Sequence, residues 1–444
     1  MTLTDETQRA AARRKDLRRV VVSSYLGSTI EFYDFILYAT AASVVFGPVF
    51  FADLSPGVAL VASYATFATG YLSRPLGGIV FGHFGDRIGR KRMLILSMTV
   101  MGAASFLVGL VPPVPTWGAL MLIVLRAVQG VAVGGEWGGA ALMSLEHARG
   151  RHRGLAAAFA NAGGPTGAVL GTVALLLAAL LPRADFLAWG WRIPFLLSAV
   201  LLVIGLFVRA KVAESPLFEQ VAAARERHED RRSRVPLVQI LRRPKNLLLA
   251  GLVVTAGFVI QALFSTFGVN YATAHGVDES TGLAAFAISQ FVAIFAILGA
   301  AWWSDRIGRK PVMRLGLLGM IVLAYPAFLL IGSGDTAGVI AGFVLSLSVC
   351  QSLTFGPMAA FVSEQFGTGA RYTGASLGYQ IGSLLGGGFT PVIVASLAAA
   401  AGGSSAYVVG YLVVMCVLSL VALVFAQETK DHDLGKRNEN GAPA

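Results

Sequence analysis

Apolar residues in this chain do not keep to one helical face; they fill whole segments. A helix that crosses a bilayer needs about 20 predominantly apolar residues, and stretches of that kind recur from end to end. Residues 154–182, 247–277, 281–304 and 336–363 contain no Asp, Glu, Lys or Arg. The pattern predicts six spans at about 20–46, 58–81, 93–111, 118–143, 154–181 and 187–208. Six more follow at about 246–271, 281–303, 312–332, 337–362, 372–399 and 405–426. Residues 209–245 are too polar to enter a membrane, as are the ends, 1–19 and 427–444. The chain therefore reads as an all-α membrane protein of twelve transmembrane helices. Its six-helix halves, 20–208 and 246–426, are joined by the linker 209–245.

Two details qualify the ends and the linker. Arg13, Arg14, Lys15, Arg18 and Arg19 could pass for the basic start of a signal peptide. The apolar stretch behind them is too long for that and carries Glu31 and Asp34, so it is read as a retained first span. In the linker, Ser215-Pro216 has the form of a helix start, with Ser as N-cap and Pro at the first helical position.

Composition agrees with the pattern. Hydrophobic residues make up 55% and charged residues 13%, with a mean hydropathy of +0.69. Soluble domains carry about 25% charged residues, so a soluble or disordered chain is excluded. The two cysteines, Cys350 and Cys416, fall inside spans and have no metal-site spacing. They read as buried small hydrophobes.

The net charge of +11, from 35 basic against 24 acidic residues, would elsewhere raise nucleic-acid binding. Its placement argues otherwise. With a cytoplasmic N-terminus, the external loops carry only Arg183 and Arg192, and Arg74 and Arg126 lie within spans. Every other Lys and Arg then faces the cytoplasm, as the positive-inside rule requires. The basic charge sets topology and meets anionic lipid; nucleic acid is not an expected partner. The even span count returns the C-terminus to the cytoplasm.

An internal repeat divides the chain. Gly82-His83-Phe84-Gly85-Asp86-Arg87-Ile88-Gly89-Arg90-Lys91-Arg92 follows the second span, and Ser304-Asp305-Arg306-Ile307-Gly308-Arg309-Lys310 follows the eighth. The shared Asp-Arg-Ile-Gly-Arg-Lys recurs after 219 residues; Glu146 and Arg153 recur as Glu364 and Arg371 after 218. Two markers at nearly one spacing imply two halves of the same orientation, enclosing a central path with a site near mid-membrane. The glycines permit a tight turn, and the Asp can accept hydrogen bonds at a helix N-terminus, where negative charge is favoured. A gating loop built from Gly82, Asp86, Arg87, Gly89, Arg90 and Lys91, matched by Asp305, Arg306, Gly308 and Arg309, can form a latch in one arrangement of the halves and break in the other.

This double motif on twelve spans resembles the major facilitator superfamily. Ile30-Glu31-Phe32-Tyr33-Asp34-Phe35, Arg74-Pro75-Leu76-Gly77-Gly78, Arg126-Ala127-Val128-Gln129-Gly130, Gly134-Gly135-Glu136-Trp137-Gly138-Gly139 and Trp189-Gly190-Trp191-Arg192-Ile193-Pro194-Phe195 narrow it. Together they are similar to the metabolite:proton symporters, the group that includes shikimate, α-ketoglutarate and proline/betaine transporters. The resemblance implies a major facilitator fold and transport rather than catalysis. Phe32 stands where Trp is common in that group, and Ala301 and Pro311 depart from the motif in the second loop, which is expected to be the weaker latch.

Charged residues inside spans cost about 2.5–3.5 kcal/mol each at the bilayer centre and default to functional hypotheses. Five lie in the first half: Glu31, Asp34, Arg74, Arg126 and Glu136. Glu31 and Asp34 are three apart and share a helix face. An Arg beside an acid keeps it ionised; moving that Arg onto a substrate carboxylate lets the acid take a proton. Asp34 and then Glu31 are the expected proton carriers, with Arg126 as their switching partner and Glu136 as a further proton site or a packing contact. Arg74 and Arg126, helped by Tyr33, Gln129, Tyr379 and Gln380, are the expected substrate ligands. In the second half Gln261, Asn270, Tyr271, Gln290 and Gln351 read first as helix–helix hydrogen bonds. Glycines spaced by four, at 130, 134 and 138, at 163, 167 and 171, and at 382 and 386, predict close helix approach.

Other functions fit less well. Gly374-Ala375-Ser376-Leu377-Gly378 has the spacing of a nucleophile elbow but lies in a span, without the strand–turn–helix setting that motif needs. No phosphate-binding loop and no His-Glu-x-x-His occur, so neither nucleotide nor metal is expected and the gradient of an ion, H+, would drive transport. Gly163-Gly164-Pro165-Thr166-Gly167 partly resembles the signature of drug antiporters, which keeps export as an alternative. A sensor would need extra cytoplasmic domains. The expectation is a multi-pass inner-membrane proton symporter that imports a small organic acid, or a zwitterion such as betaine, with no obligate protein partner.

Overall fold

The computed structural model describes residues 3–148, 152–215, 218–219, 236–242, 244–401 and 404–431. Twelve long helices carry the described chain, and no strand occurs among these residues. In the first half they are α1 (Leu3–Val44), α2 (Pro56–Ile88), α3 (Arg90–Leu110), α4 (Pro115–His147), α5 (Arg153–Ala178) and α6 (Arg192–Ala210). In the second half they are α7 (Pro244–Ala274), α8 (Glu279–Ile307), α9 (Arg309–Ile331), α10 (Thr336–Glu364), α11 (Arg371–Ala400) and α12 (Ala406–Phe425). Eleven are long and apolar enough to cross a membrane. The remaining one, α2, has the length, but Arg74 and a run of Ser, Thr, Tyr and Gly lower its hydropathy.

Four boundaries differ from expectation. The polar residues from Leu3 onward continue α1 as helix, because Ala, Arg, Lys and Gln dominate there and all are good helix formers. The expected loops between the second and third and the eighth and ninth spans shrink to single residues. Asp86 and Arg87 sit in the last turn of α2, and Asp305 and Arg306 in the last turn of α8. The turns themselves are Gly89 (φ +123°) and Gly308 (φ +110°), a backbone region that only glycine enters readily. Gly82 and Gly85 are helical, and a Cβ on either would strike Thr373 or Tyr372 on α11. Finally, Arg209 belongs to α6 and is buried, not part of the polar linker. Pro216 and most of the linker lie outside the described residues, as does the tail beyond 431.

Glycine rows set the helix spacing. Side chains at Gly163, Gly167 and Gly171 of α5 would collide with the backbone of α1 at Tyr25, Thr29 and Tyr33. Gly382 and Gly386 of α11 lie in the same way on Gly251 and Thr255 of α7. Gly163 and Gly167 are 219 residues from Gly382 and Gly386, so the repeat extends to packing. The halves meet where α2 lies on α11 and where α5 lies on α8 and α10.

Candidate functional site

A cleft enclosing about 260 Å³ of empty space lies among α1, α2, α3 and α4. Glu31, Asp34 and Phe35 line it from α1, Gly70 and Arg74 from α2, Met101 from α3, and Arg126, Gln129, Gly130 and Val133 from α4. Little more than a water molecule fits inside as it stands. The structure thus brings together five of the residues picked from sequence: Glu31, Asp34, Arg74, Arg126 and Gln129. All five are buried.

Their partners decide what they can do. Asp34 accepts hydrogen bonds from Ser105 Oγ at 2.5 Å and Ser198 Oγ at 2.7 Å. Ser105 in turn accepts from Gln129 Nε2 at 2.6 Å, and Gln129 Oε1 accepts from Arg126 at 3.2 Å. The expected Asp34–Arg126 pair is therefore a relay, Arg126–Gln129–Ser105–Asp34, and not direct contact. The physical reason is that other groups already serve each partner. Hydroxyls from α3 and α6 fill the carboxylate, and aromatic faces hold the guanidinium, with Arg126 4.4 Å from the Tyr38 ring centre and 4.9 Å from that of Phe67. Arg74 lies 4.6 Å from the Tyr71 ring centre and 4.9 Å from that of Phe35. It donates to Ser383 Oγ of α11 at 3.2 Å, a contact across the halves. Among the described residues no carboxylate oxygen comes within 4.0 Å of Arg74 or Arg126. Glu31 keeps one buried carboxylate oxygen without a partner.

Other candidates lie outside the cleft. Glu136 pairs with Arg209, which also donates to the Leu94 carbonyl, and accepts from Ser97 Oγ at 2.7 Å. Tyr33 does not line the cleft: a residue before Asp34 it is turned by about 100° on the helix, and its hydroxyl donates to the Pro194 carbonyl of α6 at 2.8 Å. Tyr379 stacks on Trp137 with ring centres 3.7 Å apart, and Gln380 Nε2 donates to the Gly134 carbonyl at 3.2 Å. Both hold α11 against α4 and leave the lining to the first half. Gln351 donates to Gln261 at 2.8 Å, a helix–helix bond of the expected kind.

The repeated motif forms a matched network at the end where α2 passes into α3. Asp86 Oδ atoms accept from the backbone N–H of Tyr372 (3.2 Å) and Thr373 (3.0 Å) and from the Thr373 hydroxyl (2.8 Å). Asp305 accepts from the N–H of Gly154 and Leu155, both at 2.9 Å. These are second and third residues of α11 and α5, whose own N-cap residues, Ala370 and His152, make no side-chain cap. Each half thus caps a helix of the other, satisfying N–H groups that a helix start leaves open. Glu146 bridges Arg90 and Arg371 across the halves, and Glu364 bridges Arg309 and Arg153. The second latch is as fully built as the first. Ala301 is packed without exposure, and Pro311 occupies the first turn of α9, where a missing N–H costs no helical bond.

Three members of this network, Glu214, Glu428 and Thr429, are not among the residues expected from sequence. Glu214 accepts from the Lys91 N–H, and Glu428 from the N–H of Arg309 and Lys310 at 2.9 Å. Ser215 donates to Glu146, and Thr429 Oγ1 to Glu364 at 2.5 Å. The signal was available: Glu-Ser at 214–215 and Glu-Thr at 428–429 follow the last helix of each half. Glu428 lies beyond α12. Partial burial pushes its carboxyl up, but backbone N–H bonds from Arg309, Lys310, Lys430 and Thr429 outweigh this and hold it below the usual range.

The comparisons agree with this architecture. The Major Facilitator Superfamily model matches residues 25–387. The inner membrane metabolite transport protein YhjE of Escherichia coli K12 is 38% identical over 430 residues, covering 94% of this chain and 95% of that protein. The shikimate transporter of the same organism is 35% identical over 93% of this chain and 95% of its own. Its proline/betaine transporter is 33% identical over 94% and 85%. The proton:xylose symporter XylE, solved with 6-bromo-6-deoxy-D-glucose, shares the fold with a TM-score of 0.77 at 16% identity, over 94% of this chain and 97% of that one. This chain belongs to the Major Facilitator Superfamily, as an integral membrane transporter of two six-helix halves and not an enzyme.

Proposed function

We propose that this transporter imports a small carboxylate-bearing metabolite together with protons, by alternating access, across a bacterial-type inner membrane. Both termini and the latched end are assigned to the cytoplasm, on the basic residues concentrated there. The observation that carries the reading is the pair of buried arginines, Arg74 and Arg126, lining one cleft with, among the described residues, no carboxylate oxygen within 4.0 Å of either. A buried cation without a directly bonded counter-ion is costly, and a substrate carboxylate would supply that bond through charge-assisted, bidentate contacts.

Binding at Arg126 would draw it from Gln129, and the relay then passes the change to Asp34. Proton uptake by Asp34 or Glu31, the two carboxylates that line the cleft, offsets the charge of the substrate. Arg74, bonded to Ser383, links the same event to the second half. No cofactor takes part, the coupling ion is H+, and the partners are the substrate and the bilayer. Relatives named for shikimate and for proline/betaine define anionic and zwitterionic alternatives. Guanidinium groups already cover the aromatic faces that a quaternary ammonium would use, which favours the anion.

The test is radiolabelled shikimate uptake against betaine uptake in proteoliposomes with an imposed inward proton gradient. Protonophore-sensitive accumulation of the acid supports the reading. Betaine alone accumulating would replace the substrate class, and acid movement only against the proton gradient would replace import by export.

A further inference from the structure

We infer that the buried Glu136–Arg209 pair is a proton station between the central cleft and the cytoplasm, so that the proton leaves through the first half and not along the path between the halves. The inference rests on the proposed proton coupling and adds the route. Glu31 ends in a buried, unpartnered oxygen. One turn towards the cytoplasm on the same face of α1 stands Gly27. A Cβ there would run into the Arg209 guanidinium and sit 2.7 Å from Glu136 Oε1. The glycine therefore keeps open the space through which α1 meets the pair.

The pair also reaches the far side. A second cleft, of about 270 Å³, is lined by Val20, Ser23, Ser24, Lys91, Leu94, Met143, Arg209 and Val212. Arg209 lines it, and Arg209 Nε is buried without a partner. Lys91, beside the Gly89 turn, and Val212, past the end of α6, place this cleft at the cytoplasmic end. Its free interior suits water rather than a solute. Arg209 thus stands between Glu136, which lies beside Gly27 one turn of α1 from Glu31, and a water-sized space at the cytoplasmic end.

The step is a simple transfer. The Glu31 carboxyl gives its proton to the Glu136 carboxylate, which releases Arg209; water in the second cleft then takes the proton and the pair re-forms. The groups that face Glu136 are Arg209 from α6, Ser97 from α3, Glu31 from α1 and the Tyr372 hydroxyl from α11, which donates to the neighbouring Gly135 carbonyl at 2.8 Å. A buried ion pair is weak evidence for stability, which leaves its position between two clefts as the feature to explain.

Two measurements test the route. In a background with Cys350→Ala and Cys416→Ala, Ser23→Cys is exposed to a brief pulse of hydroxyl radicals, which form from water and so oxidise a thiol only where water reaches it. Modification at least tenfold faster than in the background alone is expected; no modification overturns the route. In proteoliposomes with shikimate as probe, Glu136→Gln should lower proton-driven accumulation at least tenfold and leave shikimate counterflow within twofold, with Glu136→Asp restoring accumulation. Loss of both activities together, or of neither, makes the pair a static fixture and overturns the proposal. A wild-type protein that moves no shikimate defeats the substrate reading alone, and the Ser23→Cys arm then decides the route.

Discussion

Capping of each half by the other makes the latch at the Gly89 and Gly308 turns measurable. Asp86→Asn keeps the side-chain shape but removes the charge and one acceptor, so at least one of the N–H groups of Tyr372 and Thr373 loses its partner. A hydrogen bond to a charged group contributes about 1.5–3 kcal/mol. Loss of about 2 kcal/mol from the closed arrangement shifts the closed-to-open ratio roughly 30-fold, at about 1.4 kcal/mol per factor of ten. Asp305→Asn removes the matching cap on α5. The two sites act on different helices, so their effects should add, and the double variant should lose about 4 kcal/mol of closure. Spin labels at the exposed positions Arg92 and Arg314 report the separation of the halves at this end by double electron–electron resonance. Each single variant should add a longer-distance population, and the double variant should make it dominant. Unchanged distance distributions in the double variant, with its thermal stability preserved, would show that the caps do not hold the halves shut.

Further predictions concern binding, packing and pH. Arg126→Ala should raise KM for a carboxylate substrate by roughly 10- to 150-fold, the equivalent of about 1.5–3 kcal/mol for a lost charge-assisted bond, with little effect on a neutral analogue. Gly134→Val should destabilise the protein by about 1–3 kcal/mol, read as a lower Tm in detergent, because any Cβ there overlaps the Arg74 carbonyl and approaches Gly77 on α2. Glu428, whose carboxyl is held below its usual range, stabilises the docked C-terminal segment above the ordinary carboxylate pKa; that contribution is lost as pH falls through the depressed value. Acid titration of thermal stability should show this loss in the wild type and less of it in Glu428→Gln.

Much of the fold was legible because a membrane chain must satisfy its backbone within helices. Apolar run length then locates most spans to within a few residues, while polar helix formers extend α1 back to Leu3 and the motif residues carry α2 on to Ile88. The cleft residues were legible for a related reason: Glu31, Asp34, Arg74 and Arg126 are charges where charge is expensive. Partnership was not legible. Arg209 reads as the start of a polar linker, since Lys211 follows it, and only its packing against Gly27 and Glu136 shows it to be a buried member of the first half. Polarity near the motifs points to Tyr33, Tyr379 and Gln380 as ligands, but helix phase and interhelical packing turn them to carbonyls and rings. The relay through Ser105 and Ser198 joins residues 71 and 164 positions from Asp34, a distance over which no spacing rule operates.

The central claim, that the cleft couples a carboxylate substrate to protons through Asp34, is tested most directly by Asp34→Asn in proteoliposomes. Accumulation of shikimate driven by an inward proton gradient is measured beside shikimate counterflow without a gradient. The account predicts that the wild type accumulates the acid and loses this with a protonophore, and that Asp34→Asn abolishes accumulation while counterflow persists. Gradient-driven accumulation by Asp34→Asn at the wild-type level would contradict it.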